Sequence, residues 1–276
     1  MHAPHRRAQG GFQMPYWLLA AILISVLIMW NIIADQGYQT IFWALMRGVT
    51  TTIYVTTVAF TLAVILGLVM AVLRLSPLRW VRECATFYIE IVRGIPMLVL
   101  LFYIAFVGAP WFVDAFNWAT GPLQANGLMG ELTVRMFDFT WRAIIALTIS
   151  YSAFLAEIFR AGIEAVDRGQ IEAARALGLK RKHIFRFIVA PQALRMILPP
   201  LGNELVAMIK DSALVSALGV QDITQLGKVY SASTFKFFET YNVVAFLYLV
   251  MTISLTLVVR WLERILGQAD RQSSTN

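Results

Sequence analysis

Four long stretches of this sequence contain no Asp, Glu, Lys or Arg: Ala8–Ala34, Gly48–Leu73, Gly94–Val113 and Thr240–Val259. Each is long enough to cross about 30 Å of hydrocarbon as a helix. Apolar residues make up 59% of the chain and charged residues 14%. This composition excludes a disordered chain and a free cytosolic enzyme. The single cysteine, Cys84, excludes an internal disulfide.

Two further spans are interrupted by polar residues. They are Phe139–Arg160 and Met196–Val220, which bring the expected number of membrane helices to about six. The first apolar run follows Arg6 and Arg7 and so resembles a signal peptide. We count it as a span because it is longer than a usual signal-peptide core and lacks a small-x-small cleavage site. The predicted fold class is an all-α membrane protein.

The distribution of basic residues predicts how the chain is oriented. With six spans, fifteen Lys and Arg residues fall on the side of the termini and five on the opposite side. Because Lys and Arg resist translocation, both termini are predicted to be cytoplasmic. The net charge of +7 follows from this topology and from anionic headgroups, and it does not indicate nucleic-acid binding.

The inner loop between the fourth and fifth spans, residues 161–187, is polar but has a helical pattern. Ile171, Ala174 and either Leu177 or Gly178 recur at helical spacing. Glu172 lies near the helix start, where the macrodipole favours an anion, and Gly178 stands where a left-handed C-cap is needed. The pattern predicts a short capped helix that projects into the cytoplasm.

The spacing around this helix resembles the EAA loop of the permeases of bacterial ABC importers. Glu172-Ala173-Ala174 is followed by Gly178, Ile188 and Ala190-Pro191, with Ala190 where the family pattern has Leu. The resemblance implies that the helix is a coupling helix seated in a groove of an ATPase subunit. It also implies a set of residues that couple the chain to that ATPase, namely Gln170, Glu172, Ala173, Ala174 and Gly178.

Further segments look like the polar amino-acid subgroup, the histidine, glutamine and glutamate type. They are Tyr151–Ile163, Gly169-Gln170, Pro191–Arg195, Pro199–Glu204, Lys210–Leu214 and Arg93–Pro96. The resemblance covers about Gly48–Leu262 and implies a type I ABC importer permease fold. The expected organisation is a cytoplasmic tail (1–14), an extra N-terminal helix with an outer loop (15–47), the permease domain (48–262) with an outer loop (110–138) and the coupling loop (161–187), and a cytoplasmic tail (263–276).

The resemblance also implies partners in the bacterial inner membrane. The sequence contains no Gly-x-x-x-x-Gly-Lys-Ser/Thr phosphate loop, so we expect no enzyme activity in this chain and place ATP and Mg²⁺ on a separate ATP-binding subunit dimer. A second permease subunit, identical or homologous, and an extracytoplasmic amino-acid-binding protein complete the expected complex. No histidine lies in a plausible metal site, and we expect no metal.

Charged residues inside the membrane are costly unless paired or wet, and they are therefore candidates for the translocation pathway. The pathway candidates are Glu157, Arg160, Asn203, Glu204, Lys210, Asp211 and Ser212. Glu157 and Arg160 share a helix face, and either neutralise each other or leave Glu157 to meet a substrate ammonium. Pro199 and Pro200 can open a helix, which would place Glu204 in a first turn as a cap.

The remaining candidates also have two readings. Lys210 either holds a substrate carboxylate or binds backbone carbonyls at a helix break. Asn203 and Ser212 either supply hydrogen bonds to substrate or join helices. The gate candidates are Glu90, Arg93, Gly94 and Pro96, because Gly94 and Pro96 can interrupt a helix and free backbone groups towards a cavity.

Three functions are consistent with these features. The first is the permease of an ATP-driven, binding-protein-dependent importer of polar amino acids. The second is a secondary transporter driven by an ion gradient, in which Glu157 and Glu204 would bind protons or Na⁺. The third, a membrane scaffold or intramembrane enzyme, leaves the inner loop unexplained. The sequence does not choose among acidic, basic and amide amino acids.

Overall fold

The computed structural model describes residues 16–273, without the side chains of residues 17, 18, 21, 22 and 266–273. The predicted tail 1–14 lies outside the described residues. Residues 16–273 contain helices and turns and no strand. The α-helices are α1 Tyr16–Ala34, α2 Gln36–Arg74, α3 Arg79–Gly94, α4 Met97–Tyr103, α5 Ala109–Ala125, α6 Phe139–Glu164, α7 Arg168–Ala176, α8 Arg181–Ile184, α9 Ala190–Asp211, α10 Ile223–Thr234 and α11 Phe237–Ser273.

Short π-helical and 3₁₀ segments join several of these helices. The π-helical segments are Ile104–Gly108 and Phe185–Val189, and the 3₁₀ segments are Val134–Met136 and Ser212–Leu218. In the described part of the chain, five helical stretches are long and apolar enough to cross a membrane: Gln36–Arg74, Met97–Ala125, Phe139–Glu164, Arg181–Leu218 and Phe237–Ile265. Helix α1 contributes a shorter apolar stretch, Leu23–Ala34. The prediction of an all-α membrane protein with about six membrane helices is confirmed.

Helix α6 is the centre of the larger hydrophobic core, and α2, α3 and α9 pack around it. Small residues allow this close packing. A Cβ added to Gly67 of α2 would lie 2.9 Å from the Ser152 carbonyl of α6, and one added to Gly162 of α6 would lie 2.3 Å from the Ile197 side chain of α9. The helices that carry the candidate pathway residues are therefore held at short separation.

A second core contains residues of α1, α2, α10 and α11: Ile32, Ile41, Leu45, Ile223, Val243, Val244, Phe246 and Leu247. Asp222, which is fully buried, begins α10 and accepts hydrogen bonds from the Gln225 amide (2.8 Å) and the Tyr248 hydroxyl (3.0 Å). The carboxylate therefore ties α10 to α11. Helix α1 packs on the side formed by α2 and α11.

The two predicted outer loops are largely helical. Residues 36–47, expected to belong to a loop, are the first turns of α2, because the Asp35 carboxylate caps the amides of Gly37 and Tyr38. In the loop expected over 110–138, α5 continues to Ala125. Arg142 donates hydrogen bonds to the carbonyls of Val134 and Phe137 in the rest of this segment, and to the carbonyl of Ala105 before α5.

Two other boundaries also differ from expectation. Pro199 and Pro200 do not open a helix, since α9 runs through both from Ala190 to Asp211. Glu204 therefore lies inside a helix and is not a first-turn cap. Each proline removes one intrahelical hydrogen bond but leaves the helical path intact here. In the C-terminal region, where a tail was expected from residue 263, α11 extends to Ser273.

Candidate translocation and coupling sites

Helix α7 has the capped geometry that the inner loop predicts. The Asp167 side chain accepts a hydrogen bond from the Gln170 amide at 3.0 Å and so caps the start. At the end, the Leu179 amide donates to the Ala174 carbonyl (3.1 Å) and the Gly178 amide donates to the Arg175 carbonyl (2.9 Å). This is a Schellman motif, and it requires the left-handed φ of +77° that Gly178 adopts. Helix α7 is therefore capped at both ends.

The two faces of α7 differ. Ala174 is 3% exposed, and together with half-buried Ile171 it packs against the larger hydrophobic core. Glu172 and Ala173 lie on the exposed face. Leu177, one of the two residues that the spacing offered as the continuation of this face, is 82% exposed, because the helix ends there and the chain turns away. One face of α7 is thus attached to the protein and the other is open.

Gln170 also faces a second helix. Its side-chain oxygen accepts a hydrogen bond from Nε2 of Gln192, at the start of α9, with a distance of 2.7 Å. The Gln192 Nε2 also donates to the carbonyl of Ile188 at 3.0 Å. The coupling segment is therefore hydrogen-bonded directly to a membrane helix.

The structure brings Glu157 and Arg160 together as the sequence predicts. Arg160 donates to the Glu157 carboxylate at 2.8 and 3.1 Å, and it also pairs with Glu164 one turn further along. Arg74, the last residue of α2, forms an ion pair with the same Glu157 carboxylate. Two guanidinium groups thus neutralise Glu157. This arrangement supports the ion-pair reading of Glu157 and Arg160.

A strip of aromatic and charged side chains connects three helices. The Tyr151 hydroxyl donates to the Asp211 carboxylate at 2.8 Å, and the Tyr151 and Phe154 rings are 6.4 Å apart. The guanidinium of Arg93 lies over the Phe154 ring at 5.6 Å from its centre. The gate candidate Arg93 of α3 and the pathway candidate Asp211 of α9 therefore both contact α6, through side chains three residues apart.

The other α9 candidates point in different directions. Asn203 and Lys210 are exposed and lie seven residues apart, hence on one helix face. In the described part of the chain, neither has a hydrogen-bond or ion-pair partner. Glu204 is half-buried and lies seven residues before Asp211, hence on the same face of α9. Ser212 is buried and donates to the Ile209 carbonyl at 2.7 Å, three residues earlier in the same stretch of chain, so this bond does not join two helices.

The chain bends at the gate candidates. Helix α3 ends at Gly94, α4 begins at Met97, and the two residues between them have extended backbone dihedrals. A Cβ on Gly94 would meet no atom within 4 Å, so the bend is open on that side. Glu90 and Arg93 are both exposed, and as described they do not pair with each other. The break predicted from Gly94 and Pro96 is present.

Besides Asp167, Glu164 and Phe154, three residues outside the predicted set take part in these sites. They are Arg74, which pairs with Glu157; Tyr151, which binds Asp211; and Gln192, which binds Gln170. Arg74 ends a charge-free run and is the only one with a clear signal in the sequence. Arg74 follows the second predicted span and Glu157 lies near the end of the fourth, and these two ends are predicted to lie on the same side of the membrane.

Taken together, membrane-length helices, polar groups inside them and a rigid exposed helix at one end define a membrane transport protein. Residues 63–271 match the family of the binding-protein-dependent transport system inner membrane component. The chain belongs to this family and is the membrane-embedded component of an ABC importer.

Relatives and solved structures agree with this assignment. The chain is 32% identical over 230 residues to the probable amino-acid permease protein YxeN of Bacillus subtilis, covering 83% of this chain and 94% of the relative. It is 33% identical over 229 residues to the probable glutamine ABC transporter permease protein GlnM of the same organism, covering 81% and 94%. The crystal structure of an amino acid ABC transporter with histidines aligns with a TM-score of 0.67, at 36% identity, over 83% of this chain and 95% of that one.

Proposed function

We propose that this chain is the permease subunit of an ATP-driven importer of polar amino acids. In this proposal it forms half of the translocation path and transmits to it the movements of a separate ATP-binding subunit. ATP and Mg²⁺ bind on that subunit, and an extracytoplasmic binding protein delivers the substrate. The names of the relatives and of the solved structure support an amino acid as substrate.

The observation that carries the proposal is the form of α7. Its two ends are capped, Ala174 anchors one face to the core, and the opposite face is open. Leu177, an apolar residue at 82% exposure, lies at its tip. Leu179, two residues further on, is 43% exposed, and neighbouring exposed apolar side chains are typical of a protein interface. We infer that an ATPase subunit covers this open face in the complex.

The exposed stripe of Asn203 and Lys210 supports a pathway between two permease subunits. A Lys side chain in a membrane-spanning helix must be paired or in contact with water. Since neither residue has a partner in the described part of the chain, we infer that the stripe faces a water-filled path. A second permease, identical or homologous, would line the other side of that path.

The charges near the path suit a zwitterion. We propose that Lys210 binds the substrate carboxylate and that Asp211, already fixed by Tyr151, is near the substrate ammonium. Glu157 is less suited to that role because Arg74 and Arg160 already neutralise it. We also propose that both termini and α7 are on the cytoplasmic side of the inner membrane.

Reconstitution with the ATPase subunit, the second permease and the binding protein in proteoliposomes tests the proposal. ATP inside the vesicles should drive uptake of one or more polar amino acids, and each effective amino acid should accelerate ATP hydrolysis. Uptake driven by a proton or Na⁺ gradient without ATP would instead show a secondary transporter. Uptake of only non-amino-acid solutes would contradict the substrate class.

A further inference from the structure

We propose that Gln192 is a positioning residue for coupling, and that its amide passes the displacement of α7 directly to α9. This inference rests on the proposed function, because it assumes that an ATPase subunit moves α7. The geometry is specific. Gln192 Nε2 is 2.7 Å from Oε1 of Gln170 and 3.0 Å from the Ile188 carbonyl oxygen.

The orientation of the Gln192 amide follows from these two neighbours. The Ile188 carbonyl can only accept, so the amide nitrogen of Gln192 must face it. The two N–H bonds of that nitrogen can then serve the Ile188 carbonyl and Gln170 at once. Gln170 must accept through its oxygen. Both side chains are therefore held in one arrangement, and the amide of Gln192 uses both of its donors.

The other connections of α7 to the membrane helices are less direct. The chain enters α7 from α6 through residues 165–167 and leaves it through the turn at residues 177–180. Packing through Ala174 and half-buried Ile171 excludes water but has little directional preference. The hydrogen bond from Gln192 is directional. It is a side-chain contact that joins α7 to α9 across 22 residues of sequence.

Helix α9 is a suitable recipient of that movement. It carries Asn203, Lys210 and Asp211, and it is continuous from the turn that contains Gln192 to Asp211, about 28 Å away. A continuous helix transmits a displacement at one end to the other. A pull on Gln192 would thus reach the polar groups of the pathway without passing through α6.

The experiment measures ATP hydrolysed per amino acid transported in the reconstituted complex, using glutamine as the probe amino acid. Gln192→Met and Gln170→Met are each expected to raise this ratio about fivefold, the effect of one hydrogen bond lost in the coupled step. The double variant should resemble either single variant, because all three remove the same bond. Gln170→Glu retains an acceptor for Gln192 and should lie closer to the wild-type ratio than Gln170→Met.

The control is Gln221→Met, since Gln221 is an exposed glutamine outside α7 and α9 and has no hydrogen-bond partner in the described residues. Its ratio should equal that of the wild type. A wild-type ratio in Gln192→Met would overturn the proposal, as would additive effects in the double variant. If Gln192→Met does not assemble, the exposed Gln170→Met decides, and a wild-type ratio there likewise overturns it. Absence of ATP-dependent uptake by the wild-type complex would instead refute the proposed function.

Discussion

The exposed leucine at the end of α7 leads to a quantitative prediction about assembly. Leu177 is 82% exposed and, as proposed, becomes covered when the ATPase subunit docks. Burying a leucine side chain contributes about 1.5–3 kcal/mol. Leu177→Ala removes most of that side chain and should weaken docking by about 2 kcal/mol. This corresponds to a roughly thirtyfold increase in the dissociation constant.

The assay is titration of the detergent-solubilised permease with the purified ATPase subunit, by calorimetry or by surface binding. The matched control is Leu128→Ala, because Leu128 is a leucine of similar exposure (75%) in the segment after α5, on the side predicted to face away from the cytoplasm. The control should bind the ATPase subunit as the wild type does. The thermal stability of both variants should be unchanged, since neither side chain is buried in the isolated chain.

Two results would refute this reasoning. If Leu177→Ala binds with the wild-type dissociation constant, the open face of α7 is not the contact surface. If Leu177→Ala and Leu128→Ala weaken binding equally, the effect comes from general destabilisation and not from docking.

Three further predictions follow from the packing and the caps. Gly48→Ala should lower the free energy of unfolding by about 1–3 kcal/mol, because its Cβ would lie 2.6 Å from the Ile223 nitrogen. Thermal melts should show this loss, whereas the control Gly121→Ala, whose Cβ would meet no atom within 4 Å, should be unaffected or slightly stabilised. Gly178→Val should lower the free energy of unfolding by more than the roughly 1–2 kcal/mol expected for an unbranched residue at φ +77°, whereas Gly178→Asn should lower it by less. Equal thermal stability of the two variants would contradict the C-cap argument. Burial raises the pKa of Asp222, which lies between the spans. Its protonated form therefore stabilises the fold at low pH, and this contribution is lost as the pH rises through the folded-state pKa. The melting temperature of the wild type minus that of Asp222→Asn should fall from pH 4 to pH 8, and a constant difference would refute the argument.

Helix α7 shows which features a local sequence pattern can predict. Helix propensity and the glycine after its end are local, and they predicted a short capped helix that the structure contains. Glu172, expected near the helix start, lies in the middle of α7, and Asp167 caps the start instead. The spacing left open whether Leu177 or Gly178 continues the face of Ile171 and Ala174, because helical periodicity assigns a face but not the residue at which the chain leaves that face. Which side of α7 is anchored depends on core residues such as Ile184, from another helix.

The partners of the pathway residues, in contrast, depend on tertiary contacts. The cost of charge in hydrocarbon singled out Glu157 and Asp211 from their positions alone, but not their partners. Arg74 is 83 residues from Glu157, and Tyr151 is 60 residues from Asp211. Such pairs form only when the helices pack. The sequence equally did not show that α9 passes through Pro199 and Pro200, since a Pro pair is compatible with both a break and a continuous helix.

By itself, the sequence determined that the chain is helical, spans a membrane and contains a short capped helix in a polar loop, because hydrophobic length and helix caps act over a few turns. Only the tertiary structure decided which charges neutralise each other, which polar stripe stays open and how α7 is tied to α9. These depend on contacts between residues far apart in the chain, and the close approach of helices at small residues such as Gly67 and Gly162 makes those contacts.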